Sequence, residues 1–190
     1  MNNDLRPPKA QSVHQDGTHD GFEPPMAYRG QVLQGGYTRL EISSPQHLLH
    51  TVHQELVKQL QFPCKIRYLR LTDRQDGQLD KQESFVAVEI SIDRMMQALS
   101  DYHELFYNDA RHQLWILDNA EEQIVLDELG MIYVYPDDFL FRDVLTRLGW
   151  STQDHVAMTE RDYVRVSFSS AADDQEKSLI QRFGLVRWEG

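Results

Sequence analysis

The chain predicts an α+β fold: a mainly antiparallel sheet of about five to seven strands with four helices packed on it. Three observations carry that expectation. Apolar runs of strand length follow one another across turns far shorter than the dozen or so residues a parallel crossover needs. Amphipathic segments with helix start and stop chemistry separate these groups of strands. The 190 residues, 41% apolar and 10% aromatic, suffice for one buried core and show no fixed-period repeat.

Residues 1–27 are rich in Asn, Gln, Asp, Pro and Gly, without periodicity, and are expected to form a disordered N-terminal tail. His14 and His19 have no partner there at a ligand spacing. A single α+β domain is expected over 28–190. Gly35-Gly36 marks a turn before a strand at 37–42. Ser44-Pro45 opens a helix whose apolar stripe is Leu48, Leu49, Val52, Leu56 and Leu60, and Phe62-Pro63 closes it.

A strand at 65–71, a charged loop turning at Asp76-Gly77 and a strand at 85–92 read as a hairpin. Val86, Val88, Ile90 and Ile92 alternate with other residues and mark one buried face. Asp93 suits the N-cap of a second helix over 94–106. Three continuous apolar runs follow, 114–117, 124–126 and 131–135, and their lack of alternation predicts central strands covered on both faces. Pro136 stops the sheet, Asp137 or Asp138 caps a third helix, and Gly149 ends it. After a polar stretch, a strand at 162–168 precedes a helix capped by Ser170 and ended at Gly184, with Val186–Trp188 as a last edge strand.

Charge excludes some function classes. A formal net charge of −11 disfavours nucleic acid and an anionic membrane surface, both of which require Lys/Arg patches. No apolar run reaches about 18 residues and no secretory leader is visible, so the expectation is a soluble, cytoplasmic protein. The single cysteine, Cys64, excludes an internal disulfide framework and reads as a packing residue. No nucleophile elbow, P-loop or dinucleotide fingerprint occurs, and no cofactor is implied.

Two patterns merit weighing as sites. His47, His50 and His53 recur every third residue on the first helix, spanning roughly 120° of its surface at 3.6 residues per turn. Imidazoles so placed suit zinc, copper or nickel, but no cysteine and only Glu55 assists, so a solvated helix back is the simpler expectation. The second pattern lies between His112 and Phe141, where seven carboxylates occur and no Lys or Arg. Asp118, Glu121, Glu122, Asp127, Glu128, Asp137 and Asp138 lack calcium-loop spacing, and turn and capping chemistry accounts for many of them. Turn chemistry does not account for the missing cations.

The resulting expectation is a protein-interaction or inhibitor/immunity-type module that meets a basic protein partner through these seven residues. Tyr133 and Tyr135 would add interface-prone hydroxyls, for a homo-oligomer contact or for a different partner. The alternative is a hydrolase or metal-dependent enzyme that combines carboxylates with a histidine such as His103 or His112, and it requires a cleft holding at least two perturbed carboxylates.

Overall fold

The computed structural model describes residues 7–72, 82–154, 157–166 and 169–189. Its strands are β1 (Ala10–Ser12), β2 (Ala27–Val32), β3 (Thr38–Ser43), β4 (Cys64–Arg70), β5 (Glu83–Ile90) and β6 (His112–Leu117). They continue with β7 (Gln123–Leu126), β8 (Ile132–Tyr135), β9 (Ser151–Thr152), β10 (Tyr163–Arg165) and β11 (Val186–Trp188). The helices are α1 (Gln46–Val57), α2 (Ile92–Asp101), α3 (His103–Asn108), α4 (Phe139–Arg147) and α5 (Ser170–Phe183).

The fold is α+β, as the short connections imply. One nine-stranded sheet runs in the order β11-β5-β4-β6-β7-β8-β3-β2-β9, larger than the five to seven strands expected. Neighbours are antiparallel except β2 and β9. The three continuous apolar runs, β6, β7 and β8, occupy its middle. Helices cover one face, where Leu40, Ile42, Leu56, Tyr68, Ile116, Ile124, Val134 and Phe141 are among the wholly buried side chains of the main core.

A smaller core lies on the opposite face. Val125, Met131 and Tyr133 pack there beneath Ala10, Ala157 and Met158, with Phe22 alongside. Residues 7–27 therefore do not follow the tail expectation. β1 pairs antiparallel with β10, Arg161 holds both Ser12 and Asp20 at 2.6 Å, and Lys9 and Ser12 are fully buried. Composition counts only apolar residues, whereas this strap is fastened largely by backbone pairing and polar anchors. The strand expected at 162–168 likewise joins this strap as β10 rather than the large sheet.

Local chemistry shifts several boundaries. Ser91, not Asp93, caps α2 by accepting from the Arg94 amide, and the helix expected over 94–106 breaks at Tyr102, where φ is −106°. Pro45 rather than Ser44 stands at the N-cap of α1, and Ser169 rather than Ser170 at that of α5. Gly184, at φ 61°, ends α5 in the left-handed conformation expected of a helix-stopping glycine. The turn read at Asp76-Gly77 lies outside the described residues.

Candidate functional site

Strand directions divide the seven carboxylates between two ends of the sheet. The β6–β7 turn carries Asp118, Glu121 and Glu122, and the β8–α4 junction carries Asp137 and Asp138. Pairing of Leu117 with Gln123 and of Gln123 with Tyr135 brings these two connections together. Asp127 and Glu128 stand in the β7–β8 turn, at the opposite end. The expected single acidic face is thus not one surface.

Most of the seven also have a structural duty. Asp118 is buried and accepts from the amides of Gln61, Ala120 and Glu122 at 2.8–3.0 Å, which organises its turn. Asp127 does the same for Leu129 and Met131. Asp138 caps α4 by accepting from Leu140 at 2.7 Å. Glu128 accepts from Gln113. Asp137 holds Arg142 by two bonds, at 2.6 and 2.5 Å. This pair rests against β2, where a Cβ on Gly30 would meet Asp137 at 2.5 Å and Arg142 at 2.7 Å, so a larger residue there would push the pair aside. Cations reach the stretch between His112 and Phe141 from just outside it and from afar: Arg142, the next residue, holds Asp137 five positions back, and Lys9 lies close enough to Asp127 to interact with its charge.

Glu121, Glu122 and Asp138 remain open to solvent at the first end, Glu122 only in part. Burial, then Asp118 and Asp138, pushes the Glu122 carboxyl above its usual range. Glu121 has φ 68°, a left-handed conformation that costs a side-chain-bearing residue roughly 1–2 kcal/mol. Beside these acids lies a groove of about 450 Å³ whose walls include Leu33, Tyr37, Tyr135 and Pro136, with Glu121 on its edge. Among the described residues Val32 (78%), Tyr37 (73%) and Phe139 (79%) are the most exposed large apolar side chains, and all three sit at this end.

The histidines form a separate, interior arrangement. His47 is exposed, but His50 is half-buried against His103 and Tyr107, with ring centroids 5.0 and 5.6 Å away. His53 is fully buried, and its Nδ1 lies 2.9 Å from the Tyr107 hydroxyl. The solvated helix back expected for these three is corrected: α3 packs across α1 and covers two of them. Among the described residues no three His, Cys, Asp or Glu side chains are grouped to hold a metal ion.

His112 is equally enclosed, stacked on Tyr68 at 4.9 Å and edge-on to Phe106 at 5.8 Å. Neither of its ring nitrogens has a hydrogen-bond partner among the described residues, nor has His53 Nε2. Lys9 reaches in from the strap and donates to the Phe106 carbonyl at 3.2 Å. Burial lowers the Lys9 ammonium to about 8, and burial followed by Glu128 raises the Asp127 carboxyl. Lys9, His53 and His112 are all wholly shielded from solvent, so these perturbed groups face one another and not a cleft.

Sequence reasoning missed Lys9, because one lysine in a Pro- and Gln-rich stretch carries no periodic signal. It also placed no function on Arg67, Trp115 and Trp188, which meet only when β4, β6 and β11 are aligned. Comparison with protein-family models, curated proteins and solved structures finds no match to this chain. No helix among the described residues is long and apolar enough to cross a membrane.

Proposed function

We propose that the protein is an interaction module that docks a basic protein partner on the end of the sheet formed by the β2–β3 hairpin tip, the β6–β7 turn and the β8–α4 junction. The observation that carries this reading is that Tyr37 and Phe139, both largely exposed, lie at the same end of the sheet as the solvent-facing carboxylates of Glu121 and Asp138, with Tyr37 and Glu121 lining one groove. Aromatic anchors ringed by like charge suit recognition of a cationic surface: the aromatics supply most of the binding energy and the charges speed and orient the encounter. Inhibition of a basic enzyme or toxin, by occupying its cationic site, is one form this would take.

Glu121 adds support. A strained backbone position at which glycine would be more stable, yet which carries a charged side chain, is a mark of a functional site. Glu121→Gly is therefore expected to raise stability by about 0.5–1 kcal/mol, read from the urea midpoint, while weakening partner binding. Unchanged or reduced stability would remove the strain argument.

The binding reading is tested by affinity capture and titration at increasing salt. A basic partner should associate with an on-rate that falls steeply with ionic strength. Tyr37→Ala and Phe139→Ala should each weaken binding by about 2 kcal/mol, and Glu121→Lys should slow association. Asp137 and Asp138 are poor choices for charge reversal, since one holds Arg142 and the other caps α4. A partner whose binding ignores both salt and these variants would sink the proposal.

A further inference from the structure

The face of the sheet opposite the helices is only half covered. The strap and the segment around Met158 lie over β7 and β8 and reach Trp115 of β6, whereas side chains of β4, β5, β6 and β11 line an open groove farther along that side. A groove of about 350 Å³ occupies the bare half. Val86 and Val88 form its floor, Trp115 and Leu117 one wall, and Trp188 the other.

Arg67 is held in the middle of this groove. Its guanidinium carbon is 5.5 Å from the Trp115 ring and 5.3 Å from the Trp188 ring, and Nε donates to Ser84 Oγ at 2.7 Å. Two indole faces and one hydroxyl thus fix its direction. Arg29, Arg70, Arg111, Arg142 and Arg161 each hold a carboxylate, but among the described residues no carboxylate pairs with Arg67 or with Lys65 at the rim. In a chain with 30 acidic and 19 basic residues, an oriented guanidinium without an acidic partner is a ready receptor for an anion.

We propose that this groove binds a small apolar monocarboxylate, with the carboxylate on the guanidinium N–H groups that Ser84 leaves free and the hydrocarbon along Val86, Val88 and Leu117. Charge complementarity selects the anion, and the apolar walls select the tail. The groove is at the small-ligand end of pocket sizes and far short of a protein interface. The chain's net charge of −11 opposes a polyanion. This site is independent of the partner-docking end, and either stands without the other.

The three tryptophan indole N–H signals of the full chain report the test directly. Trp115 and Trp188 line the groove, while Trp150 is buried elsewhere, donating to the Ser43 carbonyl at 2.8 Å, and serves as internal reference. Octanoate is expected to shift the Trp115 and Trp188 signals saturably and leave Trp150 still. Octanamide, its neutral counterpart, should bind roughly tenfold more weakly or worse, and Arg67→Gln should weaken octanoate by a similar factor. Arg67→Lys, which keeps the charge, guards against a folding defect and should recover part of the affinity. Equal binding of octanoate and octanamide, absence of saturable shifts, or movement of Trp150 with the other two would overturn the proposal. So would tighter binding of a tetrapeptide with a free C-terminal phenylalanine, which would reassign the groove to a peptide terminus.

Discussion

Replacing Arg111 with alanine is expected to cost about 3–5 kcal/mol, the range for removing one member of a buried ion pair. The side chain is 3% exposed and the carboxylate of Asp109 wholly buried. Asp109 accepts from Arg111 Nε at 2.8 Å and from its terminal nitrogen at 2.9 Å. A second terminal nitrogen reaches Asp173 at 2.6 Å in the first turn of α5, which ties that helix to the start of β6. Burial works against the guanidinium charge, yet Asp109 and Asp173 hold its pKa above the ordinary arginine value. Truncation would leave the Asp109 carboxylate in the interior without its ion-pair partner, with the Arg111 amide and only the more distant charge of Lys9. A loss of this size is a large share of the roughly 5–15 kcal/mol that stabilises a typical domain. The check is the urea midpoint of Arg111→Ala at constant m-value, and a loss under about 1 kcal/mol would show that solvent reaches Asp109 after all.

Acid lability should be nearly as large. Burial, then Lys9 and His50, lowers the His53 imidazole to about 3, and burial, then Lys9 and Arg111, holds His112 well below its usual value. Both rings stay neutral in the folded chain while the unfolded chain protonates them near pH 6.5. Below that value the unfolded state binds more protons, so stability falls as pH drops from about 6.5, by up to about 1.4 kcal/mol per pH unit for each ring. For His53 the loss continues until pH nears 3. Asp127 works in the opposite sense over part of this window, because burial raises its carboxyl and the folded state takes up a proton the unfolded state leaves off. His112→Phe isolates the histidine contribution. Phenylalanine keeps the contacts with Tyr68 and Phe106 and removes one titrating ring. Its stability against pH between about 6 and 4 should be flatter than that of the native chain by about 1.4 kcal/mol per pH unit. Parallel curves would mean that His112 protonates freely in the fold.

The two predictions concern groups that sequence reading handles unequally. His47, His50 and His53 were visible as a spacing, but whether each faces solvent depended on α3, which lies some fifty residues away in the chain. Arg111 stands in an ordinary polar turn two residues from Asp109, and what makes the pair matter is its burial and its tie to Asp173, sixty-two positions later, both of which come with the fold. The seven carboxylates were all legible, as was the capping duty of Asp138, since both turn and cap chemistry are local. Their separation to two ends of the sheet follows from strand direction, which the residues alone leave open.

What the chain's own pattern determined was the fold class, the central place of β6, β7 and β8, and the turns that join them. Continuous apolar runs favour burial on two faces, which β7 and β8 reach and β6 reaches on one face only, and short connections force antiparallel neighbours. Only the tertiary structure decided that a Pro- and Gln-rich stretch becomes a strap with a buried lysine, that this lysine reaches the charge of Asp127, and that Tyr37, Glu121 and Phe139 share one end of the sheet. It alone placed Arg67 between Trp115 and Trp188. The reason is range: propensity, capping and periodicity act over a few residues, whereas these arrangements pair side chains tens of residues apart, where register and packing set the contact.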